Sequence, residues 1–460
     1  MSATAKAQLF DSLTGLRGIS ALMVIITHCM SSNFDAGEER FTNSDSLHAS
    51  GNMAVLFFFV LSGFLLTYKA YCEILTSEEK PSHQKTGKEA RESYPTVEIA
   101  PQEDNTERKP SLSFNRVLPE RLTKSNKVLK VVMPTQRNFL YYTLRRFFRI
   151  YPPYIIILFF SEGTVWPIAN RVWERMFLLP TTYAHLWTIR VELTYYMMVP
   201  LFQLISAYML KFEEDRRERN KSYIPYHFIY LAGVTFLAIF ISWAGRVYIG
   251  VDPNNRPPIY QYMPIFWFGS LTGILYFYLK QRGFLLNNFN PSTQKIFNWI
   301  VEILTYLILV LIVFSNKHSS INYLGRETWL CQIQAPFISP LYGLLILLLV
   351  LSNEKTSMGK LFSCNLFLWT GKASYSIYLI QYAGINLVIF ATKISGVEAY
   401  ILVLILDCAF GWVYHRGIEE KSVKIGNILI KNLKARAEAQ RQKELEDLQL
   451  LQESANPIDP

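Results

Sequence analysis

The feature that most restricts the fold of this chain is the recurrence of apolar runs of about 18–20 residues, the length that a helix needs to cross a bilayer. Half of the 460 residues are hydrophobic and only 18% are charged, a balance that excludes an ordinary soluble domain and a disordered chain. We identify ten runs, at 14–30, 52–68, 147–163, 187–210, 226–249, 259–279, 298–316, 335–352, 367–392 and 398–415. The sequence therefore predicts an all-α, polytopic, multi-pass membrane protein with about ten transmembrane helices, although Pro152 and Pro153 interrupt the third run.

The distribution of positive charge predicts the orientation of these helices. The segment between the first two runs is mainly acidic, whereas residues 69–146 carry many Lys and Arg residues. Because an excess of Lys and Arg marks cytoplasmic segments, we expect both termini and this long segment to be cytoplasmic. Membrane orientation then explains the net charge of +10, and no nucleic-acid partner is predicted.

Two polar segments are expected outside the membrane domain, which we place at 1–417. Residues 69–138 are polar and broken by prolines, which is typical of a disordered loop inserted on the cytoplasmic side. Residues 418–460 have helical spacing and many charge pairs four residues apart, so they predict an amphipathic cytoplasmic tail helix. The five cysteines are scattered and indicate neither a disulfide framework nor a metal site.

The first run contains two ionisable side chains, Arg17 and His28, eleven residues apart. At 100° per residue they lie within about 20° of the same helix face, roughly 16 Å apart along the axis. Ionisable groups inside a membrane usually face a protein interior or a water-filled pathway. A snorkelling arginine and a buried structural histidine are the alternatives, but the shared face favours a functional pair.

An arginine cluster precedes the two prolines of the third run. Arg145 and Arg149 share a helix face there and Arg146 is adjacent. Guanidinium groups bind phosphates in a bidentate manner, so the cluster suits either lipid headgroups or a soluble phosphate-bearing ligand. Charge alone leaves both alternatives open.

Further candidates lie in the fourth and later runs. We place Glu192 in the outer part of its span, at a depth comparable to that of His28, facing another helix. His185 and Trp187 are secondary candidates at the same interface, and Tyr375 lies where a later span begins. Asp407 is a membrane carboxylate without an explanation from the sequence.

In this order, these stretches resemble the acyltransferase-3 family of multi-pass membrane O-acyltransferases. The resemblance covers about residues 10–420, and its most specific element is the Arg-Gly pair followed by a histidine. The matching stretches are LTGLRGISALMVIITH, LFFFVLSGFLLT, RRFFRIYPPYI, LWTIRVELTYYMMVPLF, GSLTGILY and TGKASYSIYLIQYAG. The sequence departs from the family pattern at Gln381, where members often have histidine, and around Glu192.

The resemblance implies transfer of an acyl group, often acetyl, from acyl-CoA to the hydroxyl of a sugar or another small molecule. The donor would be a co-substrate, most simply acetyl-CoA, and no bound cofactor or metal is expected. By matching position, His28 would be catalytic, with Arg17 as its partner. Arg145, Arg146 and Arg149 would hold the donor at the cytoplasmic end.

As a mechanism, His28 would act as the general base and Glu192 would orient its imidazole, as an acid does in a catalytic triad. His185, Trp187 and Tyr375 would lie on the acceptor side. A transporter or channel for a small metabolite or anion is the alternative, because it too would carry ionisable groups along a pathway.

Overall fold

The computed structural model describes just under three fifths of the chain and shows helices only, with no strand among the described residues. The described residues are 11–31, 45–76, 136–162, 186–200, 229–233, 235–237, 240, 262–281, 289–320, 338–352, 356–392, 394 and 396–455. Most of the predicted 69–138 loop, and parts of the fourth and fifth apolar runs, lie outside these residues. All-α architecture is therefore confirmed for the described part of the chain.

We number the helices in chain order, and a π-helical segment, His415–Glu419, joins the last two. They are α1 Asp11–Ser31, α2 Asp45–Thr76, α3 Gln136–Glu162, α4 187–200, α5 Met263–Gln281, α6 Pro291–Ser320, α7 Ser339–Leu351, α8 Ser357–Phe362, α9 Asn365–Lys372, α10 Ser374–Ala391, α11 Gly396–Tyr414 and α12 Glu420–Ala455.

Three of the described helical stretches are long and apolar enough to cross a membrane, namely Asp11–Cys29, Pro291–Val310 and Gly396–Glu444. Met53–Lys69 and Ser339–Leu351 are apolar but shorter. Other predicted runs are helical where they are described, so the chain is an integral membrane protein. The number of ten crossings stays a prediction.

Helices α2 and α5 approach each other closely through two glycines. A Cβ atom at Gly63 would collide with the Phe266 carbonyl oxygen, and one at Gly269 would collide with the Val60 carbonyl oxygen. Small residues let helix backbones come this near, since no side chain separates them. Both glycines therefore have a packing role, and the neighbouring Val60 and Phe266 side chains belong to the larger of the two apolar clusters.

Helix α1 crosses α9 in the same way. Cβ atoms at Gly15 and Gly18 would meet the backbone or side chains of α8 and α9, and one at Gly371 would meet the Thr14 carbonyl. The predicted run 367–392 is divided at Ala373 into α9 and α10. This crossing fixes α1, the helix that carries Arg17 and His28, against α9 and α10.

Helix α3 continues through Pro152 and Pro153 rather than ending there. A proline has no N–H group, so Pro152 leaves the Phe148 carbonyl, four residues earlier, without its usual helical donor. The Ser422 hydroxyl of α12 donates a hydrogen bond to this Phe148 carbonyl. The proline pair therefore provides an attachment point for the C-terminal helix.

The first part of α12 packs on α3 instead of projecting freely as a tail. Ser422 and Ile430 are buried, and a Cβ atom at Gly426 would press on the Phe148 side chain. Further along, the Lys434 ammonium lies 5.4 Å from the centre of the Tyr141 ring. Beyond this contact most described residues of α12 are exposed, as expected for an amphipathic helix.

Replacing Gly269 by alanine should destabilise the protein, because the new methyl group would overlap the Val60 carbonyl and force α2 and α5 apart. We expect a loss of about 1–3 kcal/mol in the free energy of unfolding, measured by unfolding in detergent. Gly233→Ala is the matched control, since no atom of the described residues lies within 4 Å of a Cβ atom at Gly233. Equal stability of the two variants would contradict the close-packing interpretation.

Candidate active site

Charged side chains from four parts of the chain lie near one another at the Arg17 end of α1. Arg17 has electrostatic interactions with Arg149 of α3, with Glu192 of α4 and with Glu419 of the π-helical segment. Arg17 and Glu192 lie deep in the protein, yet both keep part of their surface accessible. Neither side chain is therefore completely enclosed by the surrounding helices.

Helix α3 supplies the other cations of this group. Glu192 interacts with Arg149 and Arg146 as well as with Arg17, and Arg145 interacts with Arg146. We call Arg17, Arg146 and Arg149 the arginine cluster. Its members come from two helices, and Glu192 and Glu419 provide the nearby negative charges.

Tyrosine rings surround Arg146. Its guanidinium carbon lies 5.7 Å from the centre of the Tyr142 ring and 5.5 Å from that of Tyr196. Cation–π contacts of this kind reduce the cost of burying a guanidinium group. The Tyr196 hydroxyl in turn donates a hydrogen bond of 3.0 Å to Oε2 of Glu192. The sequence analysis did not identify Tyr142 or Tyr196, because tyrosines are common throughout the chain.

The placement of Glu192 differs from the sequence prediction. We expected it at the depth of His28, as the group that orients the imidazole. Its hydrogen bond to Tyr196 and its electrostatic interactions instead connect it with the arginine cluster. Depth was inferred from the start of an apolar run, whereas helix packing determines which end of a neighbouring helix a residue meets.

The His28 side chain is oriented by its own helix. Its Nδ1 atom lies 2.9 Å from the Val24 carbonyl oxygen, one turn earlier. A carbonyl oxygen only accepts hydrogen bonds, so Nδ1 carries the proton in this contact. In a neutral imidazole, Nε2 is then the basic nitrogen, which is the tautomer that a general base requires. The contact that orients the imidazole is therefore made by a backbone carbonyl of the same helix.

A row of tyrosines on α10 connects the arginine cluster with His28. Tyr375 interacts electrostatically with Glu192 and Glu419, and the Tyr382 ring centre lies 5.3 Å from that of His28. Between them, the Tyr378 hydroxyl accepts a hydrogen bond of 2.9 Å from Thr188. Positions 375, 378 and 382 share one helix face and extend over about 10 Å. All three side chains are only partly buried.

The polar side chains between Arg17 and His28 belong to α10, whereas the α1 surface between these two residues is apolar. On that surface Ala21 and Val24 are 1% and 2% exposed, so other side chains pack against them. The sequence predicted that Arg17 and His28 share a face of one helix, and the uninterrupted α1 confirms it. The tertiary structure adds three partly buried tyrosines of α10 between the levels of these two residues.

The two described residues of the predicted acceptor side, Trp187 and Tyr375, have different neighbours. Trp187 packs on aromatic rings, with its ring centre 4.9 Å from that of Tyr262. Tyr375 lies at the arginine end, and its hydroxyl donates a hydrogen bond of 2.9 Å to the Ile150 carbonyl of α3. His185 lies outside the described residues. Of this set, the structure brings only Tyr375 next to the charged groups.

Asp407 lies in a separate apolar cluster between α1, α10 and α11. Its Oδ1 accepts a hydrogen bond of 2.8 Å from the Gly384 backbone N–H, and it interacts electrostatically with Cys29. Gln381, one turn before Gly384, is also completely buried. The Gly384 contact gives Asp407 a structural function in joining α10 to α11.

These arrangements occur in a chain whose sequence matches a family model described as an acyltransferase domain, over residues 10–95 and 128–416. The chain belongs to the acyltransferase-3 family. The match includes α1, α3, α4, α10 and α11, and it ends within the π-helical segment before Glu419.

One relative is a protein of Bacillus subtilis (strain 168) that carries the provisional name peptidoglycan O-acetyltransferase YrhL. The two sequences are 24% identical over 247 residues, which is 52% of this chain. The matched region is 34% of that protein, so the chain spans about a third of its relative's length. No solved structure shows a significant match to the chain.

Replacing Asp407 by asparagine should leave stability nearly unchanged, because the amide oxygen can still accept the hydrogen bond from Gly384. Asp407→Ala removes the acceptor and should lower the free energy of unfolding by about 1–3 kcal/mol. Thermal unfolding in the same detergent compares the two variants. If asparagine were as damaging as alanine, the carboxyl group would have a function beyond this hydrogen bond.

Proposed function

We propose that this protein is a membrane O-acyltransferase that moves an acetyl group from acetyl-CoA to a hydroxyl of a carbohydrate or another small molecule. The observation that carries the proposal is that the two ends of α1 carry different chemical groups. Arginines lie near one another at Arg17, and His28 near the other end has its imidazole in the basic tautomer. Family membership supplies the reaction class. The name of the bacterial relative supports an acetyl donor and a sugar-polymer acceptor.

The arginine cluster suits the phosphates of a coenzyme A donor. Arg17, Arg146 and Arg149 bring three positive charges near one another, and each side chain keeps part of its surface accessible. Guanidinium groups form bidentate, charge-assisted hydrogen bonds with phosphates. The positive charge of residues 69–146 supports a cytoplasmic position for this end and for both termini, where acyl-CoA is available.

The distance between the two ends suits the donor. Arg17 and His28 are separated by about 16 Å along α1, which is comparable to an extended pantetheine arm. In our proposal the arm lies beside Tyr375, Tyr378 and Tyr382, whose side chains are partly accessible. The thioester then reaches His28 while the phosphates stay at the arginines.

At His28 the chemistry is an alcoholysis of the thioester. Nε2 removes the proton of the acceptor hydroxyl as its oxygen attacks the thioester carbonyl carbon. The carbon–sulfur bond breaks, the coenzyme A thiolate leaves, and the imidazolium returns the proton to the sulfur. The hydrogen bond from Nδ1 to the Val24 carbonyl holds the ring in place throughout. Glu192 serves here as a counter-charge for the arginines rather than as the partner of His28.

His28→Ala should lower kcat by about 10²–10⁴-fold, the usual contribution of a general base. Detergent-purified protein would be incubated with labelled acetyl-CoA and membrane extract, and mass spectrometry would detect products heavier by one acetyl group. Donor binding, measured by isothermal calorimetry, should be unchanged, because the phosphates bind at the other end. Retained turnover in His28→Ala would contradict the assignment, and label crossing proteoliposomes without donor consumption would favour a transporter.

Arg149→Gln should raise the KM for acetyl-CoA about tenfold or more, since a charge-assisted hydrogen bond contributes roughly 1.5–3 kcal/mol. The variant should raise the KM for acetyl-pantetheine much less, because that donor lacks the nucleotide phosphates. Lys295→Gln, an exposed change on α6, is the control. Equal effects on the two donors would show that Arg149 does not bind phosphate.

A further inference from the structure

One carboxylate of the site comes from the segment that the sequence assigned to the cytoplasmic tail. Glu419 lies outside the predicted membrane domain and beyond the end of the family match at residue 416. Its side chain is nevertheless only 3% exposed, and it interacts electrostatically with Arg17 and Arg149. The C-terminal segment therefore contributes a charged group to the arginine cluster.

The Glu419 carboxylate is held in place by two donors. The Ser376 hydroxyl of α10 donates a hydrogen bond of 2.6 Å to Oε2. The His415 Nδ1 atom, one turn earlier, lies 2.8 Å from the same oxygen. These contacts come from two different elements and leave the carboxylate little freedom to move. Glu419 therefore presents its charge to Arg17 and Arg149 from a fixed position.

The backbone around Glu419 is fixed as well. Glu419 ends the π-helical segment His415–Glu419, and such segments often occur at functional sites. Three residues later, Ser422 is bonded to the Phe148 carbonyl that Pro152 leaves without a helical donor. Arg149 directly follows Phe148 in the chain. The contact between α12 and α3 thus sets the position of Glu419 relative to Arg149.

Arg17 and Arg149 are like charges on two different helices and interact electrostatically, so a nearby anion favours keeping them close together. Two guanidinium groups that repel each other in a low-dielectric setting separate unless an anion lies nearby. Glu192 supplies one negative charge from α4, and Glu419 supplies the second from the opposite end of the chain. With both present, the two arginines can stay close before any ligand binds.

We infer that Glu419 is a positioning residue of the donor site, which holds Arg17 and Arg149 in the geometry that receives the donor phosphates. This inference rests on the proposed function. The segment His415–Ser422 is then part of the enzyme's binding site, and the docking of α12 on α3 maintains donor affinity. It also follows that a chain ending at the family boundary would bind acetyl-CoA poorly.

The main test is Glu419→Gln, which keeps the size of the side chain and its capacity to accept hydrogen bonds but removes the charge. We expect the KM for acetyl-CoA to rise about tenfold or more, with kcat at saturating donor changed by less than about twofold. Glu438→Gln, the same substitution at an exposed position of α12, should leave both constants unchanged. Thermal unfolding of each variant in detergent reports whether the fold is intact.

A second variant, Ser376→Ala, keeps the charge of Glu419 and removes one of the two hydrogen bonds that hold it. If position matters, this variant should also raise the KM for acetyl-CoA, by a smaller factor, without lowering kcat. The variant addresses the same question if Glu419→Gln fails to fold. It changes no charge, so it also separates positioning from simple repulsion between Glu419 and an anionic donor.

Three results would overturn the inference. A lower KM in Glu419→Gln would show that Glu419 only repels the donor, and wild-type constants in both variants would show that it has no part in donor binding. A fall in kcat with an unchanged KM would indicate a purely structural effect. Wild-type protein that consumes no acetyl-CoA would instead contradict the proposed function, so the two failures are distinguishable.

Discussion

The structure depends on how an apolar helix bundle accommodates arginines that repel each other. Arg17 and Arg149 come from different helices and interact electrostatically as like charges, and bringing like charges together inside a protein has an electrostatic cost. Carboxylates from two distant parts of the chain, Glu192 and Glu419, reduce this cost. The rings around Arg146 do the same through cation–π contacts.

Two prolines are tolerated inside α3 because neighbouring helices supply hydrogen-bond donors to its carbonyls. Pro152 removes a helical hydrogen bond, and the Phe148 carbonyl obtains a replacement donor from Ser422 of α12. Nearby, Tyr375 and Tyr414 donate to the carbonyls of Ile150 and Pro153. An irregular helix thus becomes the surface to which α10, α11 and α12 attach. The C-terminal helix is consequently integrated with the charged site, and not appended to a finished membrane domain.

In the proposed function, donor binding and acyl transfer take place at opposite ends of α1. Charged groups gather at one end of α1, whereas His28 lies at the other end and is oriented by the Val24 carbonyl of its own helix. Between the two ends, the Tyr378 hydroxyl accepts a hydrogen bond from Thr188 and the Tyr382 ring lies beside the His28 ring, and neither tyrosine adds a charge. Such a division suits a donor with a charged head and a neutral, flexible arm. It also explains why variants at the two ends are expected to change different kinetic constants.

Much of this could be predicted from the sequence, since local chemistry decides it. Apolar length specifies membrane helices, and the eleven-residue spacing puts Arg17 and His28 on one face of α1. Depth and partners could not be predicted, because they depend on contacts between elements far apart in the chain. Only the tertiary structure placed Glu192 with the arginines and brought Glu419 to them over some four hundred residues. Sequence periodicity defines the faces of one helix, but packing decides which faces meet. Here the deciding contacts are the close approaches at glycines and the bond from Ser422 to the Phe148 carbonyl that Pro152 leaves without a helical donor.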